Sequence, residues 1–128
     1  MTKTLPSIIA LVASLFASQA AAASWSHFAD CGSAGQQRTY WYDTASVRPS
    51  GGAKLVKIRG DYSQVAGSVA ARAEALWSID CSSGTFSERS RTERNAKGKI
   101  VAKYTRATRA AEASPASVAR KLMDRVCS

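Results

Sequence analysis

Few side chains in this sequence have the chemistry to break or make bonds. His27 is the single histidine, and the nearest thiol is Cys31. A thiolate nucleophile needs its base within hydrogen-bond reach. On a strand the two positions share a face but stand about 13 Å apart. Trp25 to Cys31 carries no helix signal that would bring them together, so an ordinary N-terminal strand is expected and no catalytic residue is assigned. One histidine with one odd cysteine falls short of the three or four ligands a metal site takes, so no metal is expected. Gly-rich phosphate loops of Walker or dinucleotide-binding type are absent, and no cofactor is expected. Asp80 is a candidate for pairing with an arginine and receives no acid–base role.

Charge offers more. The chain of 128 residues holds 18 Lys+Arg against 9 Asp+Glu, a net of +9 and a pI near 10.0. The excess is uneven: Ser24 to Cys81 has six basic and five acidic residues, whereas Ser82 to Ser128 has eleven and four. Arg89, Arg91, Arg94, Lys97, Lys99, Lys103, Arg106 and Arg109 follow one another through a predicted hairpin and its exit. On regular strands Arg89 and Arg91 share a face, and Lys99 and Lys103 can sit across from such positions. A patch of this kind attracts polyanions such as sulfated glycans, acidic proteins, lipopolysaccharide phosphates or nucleic acid. The same cations equally fit a solvated face that keeps a small protein soluble. Sequence-specific nucleic-acid reading is not expected, because no recognition module appears.

The elements that must position these charges begin after a targeting segment. Lys3, a short apolar run from Leu5 to Ala17 and the small residues Ala20 to Ala23 make a secretory signal peptide over residues 1–23, cut after Ala23 or Ala20. No second apolar run follows, so no membrane span is expected afterwards. Residues 24–128 then form one domain of 105 residues. Losing Lys3 leaves 17 basic residues against 9 acidic, a net of +8. A hydrophobic content of 45% is globular; it argues against a disordered acidic tail, and the length argues against a multidomain enzyme. Only 23 of the residues after Ala23 are large and apolar, and 17 are alanine. Small exported domains with so thin a core commonly carry a disulfide. Cys31, Cys81 and Cys127 permit three single pairings.

Turn residues divide the domain into short strands. Arg38 to Thr44 is β-prone, with Tyr40 and Tyr42 on one face and Trp41 on the other. After the turn at Pro49 to Gly52, Val56 and Ile58 alternate with Lys57 and Arg59 through Ala53 to Tyr62. Ser63 to Ala73 reads as a loop or a short helix. Glu74 to Cys81 sets Trp77, Ile79 and Cys81 on one face. Thr85 to Arg94 is polar apart from Phe86, and Asn95 to Gly98 turns it into Lys99 to Arg106. There Val101, Lys103 and Thr105 face one side and Ile100, Ala102 and Tyr104 the other. The period changes at the end: Ser114 is the predicted cap and Pro115 the first turn of a helix. Val118, Ala119, Leu122, Met123 and Val126 form its apolar stripe. Laid across the sheet, this helix would carry Cys127 toward Cys81. The fold class expected is α+β, an antiparallel sheet of five or six strands with an amphipathic C-terminal helix on one face.

The order Ile79-Asp80-Cys81, polar strand, hairpin with Gly98, Ile100-Val101 strand, Ser114-Pro115 and a helix ending Val126-Cys127 resembles the surface-adhesin E family. Tyr42-Asp43 followed by Ser46-Val47 is similar to its early strand and turn. The likeness spans roughly Tyr40 to Cys127. It implies a helix tied to the sheet by a Cys81–Cys127 disulfide, worth about 4 kcal/mol for a loop of this length. It also implies a non-enzymatic bacterial envelope protein at the outer-membrane surface or in the periplasm, with host matrix proteins as partners. Arg106-Ala107-Thr108-Arg109 stands where the family leads one to expect an aromatic residue. Cys31 has no counterpart in the pattern; it is a buried thiol or a link between two chains of a homodimer. The competing expectation is a periplasmic accessory or inhibitor protein that binds a secreted enzyme.

Overall fold

Period-two alternation through most of the chain resolves into one antiparallel sheet. The computed structural model describes residues 22–128; the predicted signal peptide, apart from Ala22 and Ala23, lies outside the described residues. Eight strands run in order: β1 (Trp25–Cys31), β2 (Gln36–Asp43), β3 (Arg48–Ser50), β4 (Ala53–Val65), β5 (Arg72–Asp80), β6 (Thr85–Arg94), β7 (Ile100–Tyr104) and β8 (Ala111–Glu112). Helix α1 (Val118–Val126) follows. The main path through the sheet is β1-β2-β4-β5-β6-β7, with β3 paired to β4 and β8 to β6. This meander curls into a half-barrel, and α1 packs on one face of it. The expected fold class is therefore the observed one.

The core lies between α1 and the sheet. Val56, Ile79 and Leu122 are fully buried, and Phe28, Ile58, Met123 and Val126 close around them. Val56 and Ile58 are the inward residues of the alternation in β4, while Lys57 faces water. The helix buries Ala119, Leu122, Met123 and Val126, the stripe its spacing predicts. Burying each large apolar side chain contributes roughly 1.5–3 kcal/mol. With so few of them, helix docking depends on further ties. Cys81 and Cys127 form a disulfide with a Cα–Cα distance of 5.6 Å. Lys54 Nζ donates to the Val126 carbonyl at the C-terminal end of α1. Arg120 reaches back to the Ala113 carbonyl at 2.7 Å.

Several local features differ from expectation. Ser63 to Ala73 holds no helix: β4 runs on to Val65 because β2 supplies paired backbone partners as far as Gln36↔Val65. A loop then returns the chain to β5 at Arg72. The helix cap is Ser117, whose hydroxyl accepts from the Arg120 N–H at 3.1 Å. Ser114 instead accepts from the Ser117 hydroxyl at 2.7 Å, in a turn that puts Ala116 at φ 60°. The short strands β3 and β8 had no pattern to announce them. β3 lies outside the main path of the sheet, where Pro49, lacking an N–H, is tolerated. The β1–β2 turn requires glycine at Gly32, where φ is +94° and a Cβ would fall 2.0 Å from the Gln36 carbonyl oxygen. Asp43, buried at the end of β2, accepts from Ser24 N–H at 2.9 Å and from Ala45 N–H at 3.0 Å. It thereby ties the start of the domain to the Thr44–Ser46 turn.

Candidate functional site

The basic segment folds as the predicted hairpin, β6 turning into β7 at Asn95 to Gly98. Asn95 Oδ1 accepts from the N–H groups of Lys97 and Lys99, each at 3.0 Å. Gly98 takes φ 81°, the left-handed position its type suits. Lys97 and Lys99 thus lie in a hydrogen-bonded turn, and both are exposed. Arg94 donates to the Gly98 carbonyl at 3.1 Å, and Lys103 is exposed opposite Thr92. Arg106 and Arg109 lie exposed on the segment leading to β8.

The expected common face of Arg89 and Arg91 is not present. The β5–β6 register slips between Leu76↔Ser90 and Trp77↔Glu88, so Arg89 is an extra residue without a partner in β5. Thr108 holds this bulge in place, its N–H donating to the Glu88 carbonyl at 2.8 Å while its hydroxyl accepts from Glu88 N–H at 2.9 Å. The bulge resets the alternation. Arg89 remains exposed, whereas Arg91 comes opposite Ala75 on the helix-bearing face. There its Nε lies 3.1 Å from Glu88 and 3.6 Å from Glu93, with its guanidinium 5.1 Å from the Tyr104 ring centre. These are charge contacts: the Nε–H is buried and, among the described residues, directed at no acceptor. A second slip between Glu93 and Arg94 parts Ile100 from Ala102 in the same way. The predicted patch is thus divided between two faces.

Alternation did not single out two further features of the outer face, the face away from α1. Arg72, in a stretch without clear pattern, sits directly opposite Arg94. Arg59, read as one cation of a wet face, lies 4.8 Å from the ring centres of both Trp25 and Trp41. His27, Trp41, Arg59, Glu74, Thr92 and Lys103 form a continuous row across six strands. The histidine contacts Asp30 at 3.1 Å and Trp41 edge-on. The Asp30 carboxyl is held below the usual carboxylate range, first by its hydrogen bond to His27 and then by Thr39. Asp80 serves the β5–β6 turn, accepting from Ser82 Oγ at 2.8 Å and from the backbone of Ser82 and Ser83. Cys31, the thiol left over from the disulfide, is free and half-buried at the end of β1.

The structure is thus a curled meander whose last helix is cross-linked to it, with exposed cations along the β6–β7 hairpin and its exit. The family model for surface-adhesin protein E matches residues 25–128, which is nearly all of the described chain. This protein belongs to the surface-adhesin protein E family. Membership makes it an exported protein of the surface-adhesin class. No match was found among curated proteins or among solved structures. Among the described residues, no helix is long and apolar enough to cross a membrane.

Proposed function

We propose that this protein is a non-enzymatic adhesin that contacts anionic glycans or host matrix proteins through the outward cations of the β6–β7 hairpin and its exit. Those cations are Arg89, Arg94, Lys97, Lys99, Lys103, Arg106 and Arg109. The observation that carries the reading is the facing pair Arg72 and Arg94. Like charges directly opposite on a sheet are destabilising. Asp61 lies across from Arg72 on its other side, but among the described residues neither arginine is in a salt bridge, and Arg94 faces only Arg72 and Ile100. Arg91 is the one hairpin cation with carboxylates within salt-bridge distance. An anionic partner would relieve the repulsion, and a cationic projection of this kind speeds its encounter.

Retention on a heparin column tests this. Replacing Arg89, Arg94 and Lys103 with Ser should lower the salt needed for elution, since exposed charges act through a screened field. Unchanged elution of a folded triple variant contradicts the reading. Cys31 extends the proposal to assembly: its half-exposed position at the end of β1 suits a disulfide between two copies. A band of twice the mass on non-reducing gels, lost in Cys31→Ser, is the expected outcome.

A further inference from the structure

On the helix-bearing face, small residues leave a hollow that the core does not fill. Gly60 sits directly across from Ala73, and Ala75 follows on the same face. The space above them, about 110 Å³, ends at Val118, the first residue of α1. A neighbouring space of about 250 Å³ shares Tyr62 and Arg91 with it. Small-molecule sites begin at roughly 300 Å³, so a ligand here would occupy the first space and reach past Tyr62 and Arg91 into the second. Gly60 leaves room for a close approach: a Cβ there would lie 3.0 Å from the Tyr62 hydroxyl and 3.1 Å from the Tyr40 ring. Its absence lets the two tyrosines stack edge-to-face, 6.3 Å apart, as one wall. Burial first, then Tyr62, holds the Tyr40 hydroxyl above its ordinary range and so neutral.

The other wall is ionic. Arg91 stands between Glu88 and Glu93, and Trp77 donates its indole N–H to Glu88 at 3.1 Å. Among the described residues, the Arg91 Nε–H has no acceptor. A lone anion here would meet Glu88 and Glu93 as well as Arg91 and Arg38, and an ammonium would meet the same two guanidinium groups, so the charges of the lining balance. A purely apolar ligand would strip water from ions without replacing its hydrogen bonds. A neutral ring with one C–H face and adjacent hydroxyls meets all these demands. Its apolar face stacks on the aromatic wall. Its hydroxyls donate to the carboxylates and accept from the guanidinium.

We propose that the hollow over Gly60, Ala73 and Ala75 is a binding site for a neutral pyranose, such as the terminal sugar of a glycan. This site is on the face opposite the outward cations and does not depend on them. Titrating ¹⁵N-labelled protein with the methyl glycosides of glucose, galactose, mannose and N-acetylglucosamine tests it through the indole N–H signals. At least one glycoside should move the Trp77 signal, with a midpoint of about 1 mM, and leave Trp25 and Trp41 in place. Ala75→Leu, which fills the floor, and Arg91→Lys, which keeps the charge but removes the planar fork, should each weaken binding about tenfold or more. If Ala75→Leu does not fold, Arg91→Lys alone decides. No movement with any of the four sugars overturns the proposal. So does a shift unaltered in the variants, or one produced by a sulfated heparin disaccharide alone. Loss of heparin retention in the hairpin variants would leave the sugar result untouched, so the two readings fail separately.

Discussion

Single residues carry much of the local order. Ala116 occupies a left-handed conformation, φ 60°, which costs a residue with a Cβ roughly 1–2 kcal/mol. Glycine removes that cost while adding freedom to the unfolded chain, worth about 0.4–1 kcal/mol. Ala116→Gly should therefore raise the melting temperature slightly; a lower value would show that the turn is not strained there. Asp80 is the clearest pH-dependent group. Hydrogen bonds from Ser82, then Ser83, hold its folded-state pKa below the ordinary 3.8. A carboxyl lowered on folding stabilises the protein above that ordinary value and loses its contribution as the pH falls through the folded one. Acid unfolding below pH 3.8 should consequently be less steep in Asp80→Asn than in the parent. Equal steepness would mean that the turn is not coupled to folding.

At the scale of elements, the faces of β2, β4 and β5 were legible because side chains alternate and only one face is buried. Tyr40 and Tyr42 pack inward against Phe28, while Trp41 meets Arg59 outside. The stripe of α1 was equally legible from its spacing. The bulge at Arg89 was not, since one extra residue leaves no mark in a strand as polar as β6. It is held by Thr108, twenty residues away. That single slip turned Arg91 inward and produced the ionic wall beside Trp77. The start of α1 was misplaced for a different reason: Ser114 and Ser117 both have capping side chains, and only the turn at Ala116 decides between them. The helix is short, nine residues, and helices of that length are marginal alone. Its docking should depend on the Cys81–Cys127 bridge. Replacing both cysteines with Ala should lower stability by about 2–5 kcal/mol in denaturant titration. A loss below about 1 kcal/mol would show that packing alone holds the helix.

Over the whole molecule, the two faces of the sheet divide the work. One is covered by α1 and keeps the thin core together, with a hollow where the helix begins. The other presents aromatic and basic groups, and the hairpin extends its charge into solvent. The family and the disulfide were readable from the order of Asp80-Cys81, Gly98 and the terminal Val126-Cys127. The position of each cation was not, because it depends on bulges and on pairings such as Arg72 with Arg94. A surface adhesin that uses this hairpin must expose it outside the cell. Trypsin applied to intact cells measures that directly, because Lys97 and Lys99 lie at an exposed turn. Degradation of the protein on intact cells, with early cleavage after Lys97 or Lys99, is the expected result. Protection until the outer membrane is ruptured would contradict it and place the protein in the periplasm.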